Sequence, residues 1–104
     1  MNDQMRAKLS DYLQSARDFA EGRAAGPAFR ERFMAAFAAD QFLYGEPYAQ
    51  ALMSFFDEVE CYEPDPALLS ELKQRDAALY LDEGELRDKA RGFVESMSAL
   101  LSTA

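Results

Sequence analysis

Leu52–Pro66 reads LMSFFDEVECYEPDP. Leu52, Phe55, Phe56 and Val59 recur at steps of three and four, the spacing that lines one face of an α-helix. The spacing predicts a helix from about Pro47 to Tyr62. Two X-Pro steps, Glu63-Pro64 and Asp65-Pro66, then force extended backbone and stop it. The same stretch carries five carboxylates, Asp57, Glu58, Glu60, Glu63 and Asp65, within nine positions and with no Lys or Arg among them. At about 100° per residue, Glu60 falls at the rim of the apolar stripe, and Asp57 and Cys61 fall on the far side. Glu63 and Asp65 fall in the proline-stiffened turn.

Upstream, Met5, Leu9, Tyr12, Leu13, Ala16, Phe19 and Ala20 predict a first helix, closed by Gly22 and the Ala24-Ala25-Gly26 stretch. Pro27 suits the first position of a second helix, with Phe29, Phe33, Met34, Ala36 and Phe37 inward and Arg30, Glu31 and Arg32 outward. Tyr44-Gly45-Glu46-Pro47 reads as a turn, with Pro47 opening the third helix. Downstream, Asp65 can cap a short helix with Leu68, Leu69 and Leu72 on its apolar side. Asp82 and Glu85 form a near capping box for a last helix, which buries Leu86, Ala90, Phe93, Met97, Leu100 and Leu101 and turns Arg87, Lys89 and Arg91 outward. The expected fold is all-α, one domain over residues 1–104: an antiparallel four-helix bundle with an extra short helix before the last long helix.

Composition narrows the function. The chain has 104 residues, 49% of them hydrophobic, enough for one packed core. No run approaches the roughly 18 apolar residues of a membrane span, and the N-terminus lacks a secretory apolar region, so a cytoplasmic protein is expected. There is no histidine and only one cysteine, Cys61. Ser-His and Cys-His nucleophile pairs, His-containing zinc sites, Cys₄ clusters and internal disulfides are therefore excluded. No phosphate-binding glycine motif occurs. No catalytic residue, cofactor or metal is expected. A net charge of −8 repels nucleic acid and membrane head groups, and attracts a basic protein.

The acidic segment has three readings. It can be a solvated helix end, the usual fate of acidic runs. It can be a metal site, although its spacing matches no EF-hand loop. It can be a protein-binding surface that imitates a nucleic-acid backbone. Placement favours the third, because dense like charges repel and a helix C-terminus disfavours carboxylates such as Glu60.

The segment F-F-D-E-V-E-C-Y-E-P-D resembles the acidic segment of the colicin D immunity protein family, an acid, two intervening residues and then E-P-D. Leu43–Gly45 (L-Y-G) and Tyr80–Arg87 (Y-L-D-E-G-E-L-R) also fit the family pattern, so the resemblance covers about Leu43 to Met97. It implies a small antiparallel four-helix immunity protein, not an enzyme, that binds the basic C-terminal nuclease domain of a bacterial toxin. In that family the toxin cuts a tRNA in its anticodon loop, and the inhibitor's carboxylates stand where tRNA phosphates would lie. Glu60, Glu63 and Asp65 match the family's contacting acids; Asp57, Glu58 and Tyr62 join them by proximity. The implied protein is a monomer before it binds toxin. The Pro66–Tyr80 stretch is longer than the family pattern, so a contact-dependent or other secreted toxin is as good a partner as a colicin. The rival readings are an acidic helical adaptor that binds through an apolar surface, and a carboxylate-metal hydrolase.

Overall fold

The computed structural model describes residues 1–103. It is all-helical: α1 Asp3–Ala20, α2 Gly26–Ala38, α3 Tyr48–Glu60, α4 Pro66–Arg75 and α5 Glu83–Ser102. The short helix expected before the last one is α4. Local chemistry accounts for most boundaries. The Asn2 side chain accepts from Met5 N–H and opens α1. Beyond the α1 cap, Gly22 takes a φ of 83°, the left-handed geometry that a residue without Cβ adopts freely. Asp82 and Glu85 form a complete capping box on α5. Pro47 sits just outside α3 rather than inside it, and α3 ends at Glu60, two residues earlier than its sequence spacing suggests.

The core runs from Leu9 to Leu101 and draws on every helix except α4. α5 packs against α1 and α3, and α1 also packs against α2. A chain of rings ties these helices together. Phe19 stacks on Phe29 at 4.5 Å, Phe33 meets Phe55 edge-on at 5.3 Å, and Phe55 stacks on Phe93 at 4.5 Å. Phe55 is 2% exposed, and truncating it to Ala would cost about 3–5 kcal/mol.

Two arginines expected to face outward turn inward. Arg87 lies over the Phe19 ring at 4.6 Å and donates to the Phe19 carbonyl at 2.9 Å, closing the C-terminal end of α1. Arg30 donates to the Tyr62 carbonyl at 2.8 Å. Both use the long arginine stem to reach a backbone oxygen while the head stays part-buried. The leucines of α4 depart too: Leu68 is exposed and Leu69 and Leu72 are only half-buried, because α4 lies outside the core. It is held by its Asp65 cap and by a Lys73–Glu85 ion pair at 2.5 Å.

Between α2 and α3 the chain turns around Asp40. Its Oδ2 accepts from the Tyr12 hydroxyl at 2.7 Å and from the Tyr44 hydroxyl, and its Oδ1 accepts from Phe42 N–H at 3.0 Å. That last bond helps hold Phe42 at a φ of 54°, unusual for a non-glycine residue. A tilted contact of the Phe42 ring with Phe37, centroids 4.5 Å apart, adds to it.

Candidate functional site

The acidic segment is braced by a contact that no local pattern announces. Glu63 N–H donates to the Leu81 carbonyl at 3.0 Å, and Leu81 N–H donates to the Cys61 carbonyl at 2.9 Å. Tyr62 and Leu81 thus form an isolated parallel bridge. It clamps the end of α3 to the start of α5 and leaves α4 looped out between them. Glu63 Oε2 then accepts from Asp65 N–H at 3.0 Å, and Asp65 Oδ1 accepts from Ala67 N–H at 3.0 Å. Glu63 and Asp65 are each fixed through one oxygen. Among the described residues no hydrogen bond reaches Glu63 Oε1 or Asp65 Oδ2, which leaves these two oxygens for a partner.

The bridge rests on a tight inward layer. Tyr62 is 4% exposed, so it supports the turn from below rather than lining the surface. Glu83 Oε1 accepts from Gly26 N–H at 2.6 Å. A Cβ at position 26 would overlap both the Tyr62 hydroxyl and Glu83 Oε1, and would lie 2.8 Å from Tyr62 Cζ. Only glycine lets α2 approach this closely. Beside the turn, Pro27, Arg30, Glu31, Met34 and Pro64 line an open cleft of about 440 Å³.

The six acids and aromatics singled out by sequence separate in space. Asp57, Glu60 and Asp65 are exposed and Glu63 is half-buried. Glu58 is half-buried in a groove with Phe55, Lys89 and Phe93, between α3 and α5. Burial, helped by the neighbouring Asp57, raises the Glu58 carboxyl above the usual range against the pull of Lys89. Six ion pairs form among the described residues, on Asp18, Glu21, Glu83, Glu85 and Asp88. None involves Asp57, Glu58, Glu60, Glu63 or Asp65. Two cations come near the segment: Lys89 lies beside Glu58, and Arg30 donates to the Tyr62 carbonyl.

Cys61 reads out the resulting field. Burial raises its thiol, and Glu60, Asp57 and Glu58 raise it further. The thiol stays protonated and poorly nucleophilic at neutral pH. Among the described residues, no group of three or more Cys, Asp or Glu side chains could hold a metal ion. No helix there is long and apolar enough to cross a membrane.

What the geometry offers is therefore a rigid, uncompensated negative ridge: Glu60 at the end of α3, then Glu63 and Asp65 on the clamped turn. Sequence reasoning missed Leu81, Glu83, Gly26 and Arg30, which hold the ridge in place. No protein-family model matches the chain, and no curated protein or solved structure matches it.

Proposed function

We propose that this protein is an immunity-type inhibitor, which binds the basic nuclease domain of a bacterial toxin and occludes its active-site cleft. In this reading α1, α2, α3 and α5 form the antiparallel bundle of such inhibitors, a single cytoplasmic domain that is monomeric before binding, with α4 appended. The carrying observation is the packing of five carboxylates into nine positions, none of them in an ion pair among the described residues. Glu60, Glu63 and Asp65 present oxygens to cleft lysines and arginines in place of RNA phosphates. Charge-assisted hydrogen bonds of that kind are the strong ones. Asp57 adds to the long-range field, which speeds encounter with a basic partner. Glu58 tunes that field from its groove, and Tyr62 holds the turn. Inhibition by occlusion needs no catalysis, cofactor, nucleic acid or membrane.

The test is co-expression with the C-terminal domain of a toxin encoded by the neighbouring reading frame, read by growth and by affinity. Glu60→Ala, Glu63→Ala and Asp65→Asn should each weaken protection while the domain stays folded. Unchanged affinity in all three would overturn the proposal. The adaptor alternative has one observation in its favour: Phe42 and Leu43 are exposed on the loop before α3, Leu43 at 67%. If Leu43→Ser abolishes binding and the acid variants do not, the apolar loop is the interface.

A further inference from the structure

An open apolar cleft borders the acidic turn on the side of α2. Pro27, Met34 and Pro64 form its apolar surface, Arg30 and Glu31 complete its walls, and its volume is about 440 Å³. Pro27 and Pro64 are exposed and Met34 is half-buried, so a partner's side chain can reach all three. The two sides of the cleft come from α2 and from the turn after α3, and long-range bonds tie them together. Arg30 donates to the Tyr62 carbonyl at 2.8 Å, and Gly26 N–H donates to Glu83 Oε1 at 2.6 Å just ahead of Pro27. The cleft is therefore formed before anything enters it, and its proline walls lose no side-chain freedom on contact.

Charge selects what enters. Pro64 stands between Glu63 and Asp65 in the chain, and Glu31 lines the α2 wall. Among the described residues none of these three acids forms an ion pair. The one cation among the lining residues is Arg30, and its guanidinium is held at the Tyr62 carbonyl. An apolar floor with three unpaired acids around one committed arginine disfavours an anionic ligand. It suits an apolar side chain that arrives with lysines or arginines beside it. Because Pro64 belongs both to the cleft and to the acidic turn, a partner lying on Glu63 and Asp65 covers the cleft in the same contact.

We propose that this cleft is the apolar anchor point of the inhibitory interface, and that it takes one aliphatic or aromatic side chain flanked by Lys or Arg on the surface of the basic partner. The acids steer and orient that partner, and the cleft holds it by burying the anchor side chain. The identity of the partner rests on the immunity reading. The binding chemistry of the cleft can be measured without a toxin, so the two fail separately.

The test is a titration of the full chain with three peptides of one length: Lys-Lys-Trp-Lys-Lys, Lys-Lys-Gly-Lys-Lys and Glu-Glu-Trp-Glu-Glu. The chain has no tryptophan, so a blue shift of indole emission reports burial of the probe directly, and ¹⁵N NMR shifts locate it. Lys-Lys-Trp-Lys-Lys should shift the amides of Glu31, Met34 and Glu63 saturably, with a Kd on the order of 1 mM. The glycine peptide should bind about threefold or more weakly, the effect of leaving roughly 30 Å² of apolar surface unburied. The acidic peptide should give no saturable shift there. Met34→Gln keeps the length of the side chain and its helix propensity. It should bring the tryptophan peptide down to the affinity of the glycine one, while Tm falls by no more than about 5 °C. Glu31→Gln should weaken both lysine peptides alike. If the peptides behave in this way but the acid variants still protect against the toxin, the immunity reading fails and the anchor cleft stands. Equal binding of the tryptophan and glycine peptides overturns the proposal, as does saturable binding of the acidic one. An unchanged preference in Met34→Gln, or no saturable shift with any peptide, also overturns it. Shifts at Met34 on dilution of the protein alone would assign the cleft to a second copy of the chain and overturn it too.

Discussion

Asp65 serves two ends, and a pair of substitutions separates them. Its Oδ1 caps α4 by accepting from Ala67 N–H at 3.0 Å and Leu68 N–H at 3.4 Å, while its charge belongs to the ridge. Asp65→Ala removes both, and Asp65→Asn keeps an oxygen acceptor and removes the charge. Loss of an N-cap costs about 1 kcal/mol, and Asn caps nearly as well as Asp. α4 has ten residues and no buried one, and an isolated helix that short is marginal in water. The cost should therefore appear as local opening of α4, because the Tyr62–Leu81 bridge closes the chain beneath it. Native-state hydrogen exchange should show α4 amides losing protection about fivefold in Asp65→Ala and by less than about twofold in Asp65→Asn. Amides of α1 and α5 should keep theirs. If the proposed function holds, affinity for a toxin nuclease domain should fall in both variants by about 2 kcal/mol or more, roughly thirtyfold in Kd. If Asp65→Asn opens α4 as much as Asp65→Ala does, the cap is not what holds it. If protection in α5 falls in step with α4, the helix is no appendage.

Gly26→Ala should destabilise the protein by about 1–3 kcal/mol through overpacking against Tyr62 and Glu83, measured by urea unfolding. For Asp40, burial pushes the carboxyl up, but the Tyr44, Phe42 and Tyr12 donors outweigh it and hold the pKa below the usual carboxylate range. A depressed folded pKa means stability that is present above the unfolded value, about 3.9, and lost as pH falls through the folded one. Asp40→Asn should therefore flatten the acid limb of stability against pH, and an unchanged acid limb would remove Asp40 from that account. The Cys61 thiol should react faster with a neutral alkylating reagent at pH 8 in Glu60→Gln than in the parent, because a charge that raises its pKa is gone. An unchanged rate would mean that the ridge exerts no field there.

The proposed function rests on an acidic turn, which the folded chain braces from several sides. Glu60 occupies the last turn of α3, where the helix dipole opposes a carboxylate. Glu63 and Asp65 are ordered by each other and by the backbone before any partner arrives, which limits the entropy lost on binding. Glu58, adjacent in sequence, turns into the α3–α5 groove and does not share the ridge.

The helices, most of their ends and most of the apolar faces outside α4 are legible in the residue pattern. Those signals act within a few residues: Asp65 caps its own next turn, Asp82 and Glu85 cap each other, and Pro27 and Pro66 sit in the first turns of α2 and α4. Leucines at helical spacing in α4 misled, because spacing marks a face but not whether another element covers it. What fixes the acids comes instead from long-range packing. The Cys61–Leu81–Glu63 clamp, the Arg30 bond to Tyr62, and the Gly26–Glu83 contact join residues separated by about twenty to nearly sixty positions. The Asp40 hub likewise gathers Tyr12 from another helix. Such pairs leave no local signature, because backbone and side-chain donors are satisfied by whatever the packed core brings alongside, and that is settled by the folding of the whole chain.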